Sequence, residues 1–399
     1  MNNTDAITTA NKKAIFGLSM GHFMVDLYAS ALIPLYPLLT SKLGIKLSTI
    51  SLIIACGHLF SSMMQPLFGF FADRMRHRTF MIWGLVMGAV FIPLTITVDK
   101  AWLLALFLLI GMCGNALFHP QVTSLVNTFN FNNPNLSKYM GAFMGLGTIG
   151  YALGPILSST LVDNFGVYAL SYVTIFGVLT AVILYFQVPK IPVSTVNTTH
   201  KNFFKIMKEI LGKKTFLSLI WIAIVKSGVS ISFGTYAPFI FQEKGFTLSQ
   251  IGLIVTLFFI LSGISMLTSS KIEKKIGAEN IIRLSFWTIL PLVLLFMATI
   301  DKFPILAVII FILTGYFTFL SVSVTIVAAQ NLMKEHKGVI SGVMQGFSWG
   351  IGALSLAPLG YIAEIIGVDK ILIIMAAIAF LTGFFGITKD LKEVFKQSV

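Results

Sequence analysis

The chain has 399 residues, 56% of them hydrophobic and 11% charged, with a formal net charge of +13 and a mean hydropathy of +0.89. A soluble domain carries about a quarter charged residues, so a chain this poor in charge cannot cover its surface in water; its natural solvent is lipid. The positive balance, which in a soluble protein would suggest nucleic acid, is here better explained by basic cytoplasmic loops, and no nucleic-acid partner is expected.

A bilayer core takes about 20 apolar residues as helix. Apolar runs broken by charge, Pro, Gly or Asn predict spans at 14–39, 47–71, 79–98, 101–123, 140–163 and 166–187. After a polar stretch come 215–241, 248–270, 280–299, 303–328, 338–363 and 368–388. The first apolar run is too long for the core of a cleavable signal peptide. An even number of spans leaves both termini on one side. The loops on that side hold Lys12, Lys13, Arg74, Arg76, Arg78 and most of the remaining Lys and Arg. The opposite loops hold Lys42, Lys46, Lys100, Lys244, Lys302 and Lys370. The positive-inside rule therefore places both termini in the cytoplasm. Cys56 and Cys113 lie inside apolar runs and read as small buried packing residues.

The segment 188–214, VPKIPVSTVNTTHKNFFKIMKEILGKK, is the one linker, and its basic amphipathic second part is expected to lie along the membrane surface. It divides the chain into an N-terminal half (1–190), a linker (191–214) and a C-terminal half (215–399). A shift of 201 residues aligns the halves: GIKLSTISLII at 44–54 falls on GFTLSQIGLIV at 245–255, Pro37 on Pro238, Asp163 on Glu364 and Gly166 on Gly367. Matched Gly, Pro and acidic positions are informative where matched Leu and Ile are not. The two copies share one orientation, the arrangement of a large transporter class with its site near the midplane between parallel repeats.

The first span, GHFMVDLYASALIPLYP at 21–37, keeps His22 and Asp26 one turn apart on one face. Asp26 lies about 18 Å along the helix from its entry, near the midplane. A charge there costs at least ~2.5–3.5 kcal/mol, so it should face water or a partner. Lys226 sits at a matching depth in the seventh span, beside the position that the repeat pairs with Asp26. Either the two form a permanent ion pair, or Asp26, with His22 or His58 nearby, takes up and releases protons. Lys226 is then its counter-charge or the anchor of an anionic substrate. Gln65, Asn115, Tyr151, Gln345 and Trp349 are further candidates for substrate contact.

The loop GFFADRMRHR at 69–78 resembles the signature of the major facilitator superfamily between its second and third spans. Gly69, Asp73, Arg74 and Arg78 match, and His77 stands where a further Gly is usual. The resemblance implies a gating role for these residues. GAFMGLGTIGYALGP at 141–155 resembles the fifth-span motif of superfamily exporters. There Gly141, Gly145, Gly150, Gly154 and Pro155 leave one helix face smooth, as do Gly342 and Gly346 in the eleventh span. HFMVDLY followed by PLYP, with ALFHP in the fourth span, is similar to the fosmidomycin-resistance-like exporters. That resemblance implies functional roles for His22, Asp26, Tyr28, Pro34, His119 and Pro120, Tyr28 and His119 with the substrate. The Arg that multidrug antiporters carry in the fourth span is missing.

A Gly-rich phosphate loop, an HExxH motif and a Cys cluster are all missing, so no enzyme signal is present. The expectation is an all-α integral membrane protein of twelve spans in two parallel six-helix repeats. It is a bacterial inner-membrane, proton-coupled antiporter that exports a small organic molecule, anionic or zwitterionic, by alternating access. It needs no cofactor or metal and works as a monomer among membrane lipids. The alternatives are a proton-driven importer, a facilitative uniporter and, in a different class, a non-transporting sensor.

Overall fold

The computed structural model describes residues 3–75, 78–129, 136–189, 203–332 and 337–397. Among these the chain is helical, without a β-strand. Twelve helical segments are long and apolar enough to cross a membrane. In the first half they are Lys12–Leu43, Leu47–Gln65, Thr79–Thr97, Ala101–Val126, Tyr139–Phe165 and Val167–Gln187. In the second they are Lys214–Glu243, Leu248–Ile276, Ala278–Thr299, Pro304–Leu332, Val339–Ile366 and Val368–Phe385. Each overlaps one span expected from sequence. Both cysteines are free thiols, but Cys56 is exposed on its helix rather than buried.

The first span is not one continuous helix. A long helix, Asn3–Ala31, gives way to a 3₁₀ turn at Ile33–Leu35 and resumes as Tyr36–Leu43. Pro34, inside that turn, has no N–H to donate, so the hydrogen-bond ladder is lost there and the chain tightens. The segment ends at Gly44, where the Gly44 and Ile45 N–H groups bond back to Ser41 and Thr40 carbonyls. Gly44 has φ +59°, the left-handed conformation that closes a helix without a Cβ penalty.

That glycine belongs to a repeating set. Gly44 and Gly245 have φ of +59° and +81°, and Gly166 and Gly367 have +82° and +97°. Two of the glycine pairs that align at the repeat offset therefore hold a backbone conformation that only glycine adopts easily, whereas the aligned pairs Gly141/Gly342 and Gly145/Gly346 lack positive φ. The same offset relates two acidic residues that each meet a helix N-terminus.

Two compact units make up the chain. The first is Met1–Ile45, Cys56–Ser194 and Phe246–Thr256; the second is Lys46–Ala55, Thr195–Gly245 and Leu257–Val399. In the first unit, Asp163 Oδ2 accepts hydrogen bonds from the Ser249 N–H (3.1 Å) and hydroxyl (2.6 Å). Ser249 opens the eighth span, so the carboxylate sits at the positive end of a helix dipole. Just beyond, the Ile156 N–H donates to Thr256 Oγ1, and Gly252 leaves room for Ser159 and the Pro155 carbonyl. In the second unit, Glu364 Oε1 accepts from the Ser48 N–H at 2.7 Å at the start of the second span. Tyr236 donates to Ser51 Oγ, and Gly360 leaves room for the Ser51 side chain.

The glycine-rich faces are used only in part. In the first unit a Cβ on Gly150 would overlap the Phe23 carbonyl, and one on Gly154 would overlap Ser30 and the Leu27 carbonyl. In the second unit a Cβ on Gly352 would run into the backbone of Gly228 in the seventh span. Gly141, Gly145 and Gly342, expected to seat a neighbouring helix, do not. Among the described residues nothing lies within 4 Å of where their Cβ would stand. They fall in the turns where the fifth and eleventh spans begin, away from the close helix crossings. Gly346 lies inside a π-helical turn, Val343–Phe347, that widens the eleventh span.

Candidate functional site

The first unit gathers three titratable side chains, two histidines around one carboxylate. His22 and Asp26 are one turn apart on the first helix, and His22 Nε2 stands 3.1 Å from Asp26 Oδ2. His119, from the fourth span, places its Nε2 3.2 Å from the other oxygen, Oδ1. The two imidazoles meet edge to face with ring centroids 5.0 Å apart. His22 is buried, while the Asp26 and His119 side chains keep 16% and 24% exposure, so the carboxylate end of the group can be reached.

The fifth span builds the floor of this group. His22 stacks on the Phe143 ring at 4.3 Å, and its Nδ1 lies 3.0 Å from the Phe143 carbonyl oxygen. One turn later comes Gly147. A Cβ there would overlap the His22 imidazole and crowd Asp26 Oδ2. Glycine at 147 is thus what lets the imidazole lie against the helix backbone and reach the carbonyl.

Both ring nitrogens of His22 therefore face acceptors: a carbonyl oxygen on one side and a carboxylate oxygen on the other. A neutral imidazole has one N–H to give. The two contacts are satisfied together only when His22 carries two protons or Asp26 carries one. The local geometry thus calls for one proton beyond neutral histidine and free carboxylate. His119 offers a second nitrogen to the same carboxylate, so a proton held here has two histidine acceptors within reach.

The expected neighbours of Asp26 sort unevenly. His58 is not among its partners; His119, expected at the substrate, takes that place. Tyr151 is half-buried on the fifth span. Tyr28 is buried, with its hydroxyl donated to the Val173 carbonyl at 2.7 Å, so it braces the first span against the sixth instead of facing a ligand. Gln65 and Asn115 are half-buried on the second and fourth spans. Phe143 and Gly147 are further members of the site that no motif points to. Their signal is the spacing 143, 147, 150, 154, which runs down one face of the fifth helix.

Arg78, from the signature loop, donates to the carbonyls of Tyr185 and Val188 and lies 4.9 Å over the Tyr185 ring. It ties the start of the third span to the end of the sixth. The side chains of Gly69, Asp73 and Arg74 lie outside the described residues.

In the second unit Lys226 is buried in the seventh span, 7% exposed, and forms no ion pair or hydrogen bond with the other described residues of that unit. One turn further, Ser230 Oγ is buried without a hydrogen-bond partner among the described residues, as is Ser232 Oγ. On the eleventh span Gln345 is exposed and Trp349 half-buried.

Twelve apolar spans, a chain built as two related units and an ionisable cluster deep in the first span are the features of a secondary transporter. The sequence model of the Major Facilitator Superfamily matches residues 18–355, and the chain belongs to that family. It is a multi-pass membrane transporter, not an enzyme. It is 26% identical over 395 residues to the fosmidomycin resistance protein of Escherichia coli K12, covering 94% of this chain and 93% of that one. It is 22% identical to multidrug resistance protein 1 of Bacillus subtilis 168, with 86% of each chain covered. Among solved structures, a bacterial homologue of the lysosomal transporter Spinster matches with a TM-score of 0.80 at 12% identity, over 97% of this chain and 98% of that one. The nucleoside transporter NupG matches with a TM-score of 0.74 at 14% identity, over 96% of this chain and 99% of that one.

Proposed function

We propose that this chain is a proton-coupled antiporter of a bacterial inner membrane that exports a small organic molecule by alternating access. Its halves are 1–190 and 215–399, and both termini lie in the cytoplasm, where most of its Lys and Arg would be. One observation carries the reading: a single membrane-depth carboxylate is held between two histidine nitrogens, in a geometry that needs an extra proton. Asp26 is the proton carrier and His22 and His119 are its relay. His22 is oriented by the Phe143 carbonyl. The relatives named for fosmidomycin and multidrug resistance support export as the direction.

Lys226 anchors the substrate. A buried ammonium one helical turn from an unsatisfied hydroxyl has lost its water without gaining a counter-ion among the described residues of its unit, a state that an anionic or zwitterionic ligand relieves. Substrate and proton then occupy different units of the chain.

The test uses everted vesicles that hold a proton gradient, with a pH-sensitive dye reporting its discharge on addition of candidate substrates. Wild type discharges the gradient with a substrate; Asp26→Asn, inserted at equal level, does not. A substrate that binds yet leaves the gradient untouched in wild type overturns the coupling and points to a uniporter.

A further inference from the structure

We propose that the His22–Asp26–His119 group is also a binding site for one divalent transition-metal cation of the Zn²⁺ type. It offers two imidazole nitrogens and one carboxylate, with the donor atoms all within 4.8 Å of one another. Borderline-soft cations take this mixed nitrogen and oxygen set, whereas Mg²⁺ and Ca²⁺ favour oxygen alone.

The spacing fits. Zn–N and Zn–O bonds of about 2.0–2.2 Å arranged as a tetrahedron set neighbouring donors about 3.3–3.6 Å apart. His22 Nε2 lies 3.1 Å from Asp26 Oδ2 and His119 Nε2 3.2 Å from Asp26 Oδ1, and one donor atom from each residue falls within 4.8 Å of the other two. Side-chain rotation is enough to bring the three donors to that spacing around one ion.

A second and independent feature is the contact behind His22. A histidine that binds metal through one nitrogen almost always donates the other N–H to a carbonyl or carboxylate, which fixes its tautomer and aims its lone pair. His22 Nδ1 lies 3.0 Å from the Phe143 carbonyl, so its Nε2 lone pair is aimed at the Asp26 side. Gly147 preserves that contact by leaving the space its Cβ would fill. The charges also suit the ion. Two neutral imidazoles and one carboxylate leave a dication with a residual positive charge and one coordination position for water or a ligand. Partial exposure at Asp26 and His119 leaves that position reachable.

Binding is measured with Co²⁺ on the purified full-length protein without a histidine tag, where four-coordinate cobalt gives visible d–d absorption. Wild type is expected to bind one Co²⁺ per chain, Zn²⁺ to displace it, and Zn²⁺ to raise the unfolding temperature in a concentration-dependent way. His22→Ala and His119→Ala each weaken Co²⁺ binding at least tenfold, and the double variant abolishes the absorption. A variant lacking His77, His200 and His336 keeps it. A side chain whose truncation disturbs folding is replaced by the volume-preserving His119→Gln, with size-exclusion chromatography as the check. Absence of saturable Co²⁺ binding by wild type overturns the proposal, and so does an unchanged spectrum in the double variant. Both readouts are independent of transport, so the coupling proposed above stands or falls separately.

Discussion

The two halves share a backbone plan and differ in their chemistry. Gly44 and Gly166 adopt left-handed backbone at the positions matched by Gly245 and Gly367. Asp163 meets the start of one span as Glu364 meets the start of another. Yet the first helix of the N-terminal half carries a carboxylate gripped by two histidines, while its counterpart carries a lysine without an ion pair among the described residues of its unit. Features that any repeat needs in order to end helices and join them have been kept in both copies. The ionisable groups are not repeated between the two copies.

The sharpest way to break this comparison is to remove each charge in turn. Asp26→Asn should eliminate gradient discharge with every substrate, reducing the dye response to that of empty vesicles. Lys226→Ala should keep discharge with neutral substrates and raise the half-saturating concentration of anionic ones about tenfold, roughly the 1.4 kcal/mol of a single charged contact. Equal loss in both variants would mean that the two charges form one coupled unit.

Next in size are the glycines that the two halves use alike. Gly150→Ala drives a methyl into the Phe23 carbonyl, and Gly352→Ala drives one into the Gly228 backbone. Each should cost about 1–3 kcal/mol, read as a lower unfolding temperature in detergent. A neutral outcome at either position would show that the crossing is looser than its geometry.

The acid caps give a smaller and matched effect. Asp163→Asn and Glu364→Gln each remove a charge from a helix N-terminus while leaving an oxygen to accept from Ser249 or Ser48. Both should lower the unfolding temperature slightly and by similar amounts. A large loss at one and none at the other would break the equivalence of the two ends.

The smallest change has the opposite sign. Gly141→Ala meets open space and exchanges a poor helix former for the best one, so it should stabilise by up to about 1 kcal/mol. Destabilisation would restore the packing role expected for Gly141 from sequence.

Much of this molecule is local, and local features are legible in a sequence. Apolar runs of bilayer length dictate helices because a lipid core leaves backbone groups no other partner. The repeat was visible because glycine with positive φ and acids at helix starts tolerate few substitutes. The pairing of His22 with Asp26 follows from helical periodicity alone. Periodicity by itself also suggested packing roles for Gly141 and Gly145, and here it misled, since a smooth face implies a neighbour only where another helix passes.

What the tertiary structure decided is which distant side chains converge. His119 is far from Asp26 along the chain, and only the packing of the fourth span beside the first turns it from a candidate for substrate into a ligand of the carboxylate. The same packing leaves His58 apart and buries Tyr28 against the sixth span. Gly147 is an unremarkable glycine until His22 is laid across it. Helical spacing determines which residues share a face, because it is set by the backbone; which faces meet depends on the fit of whole surfaces, which no single stretch of sequence contains.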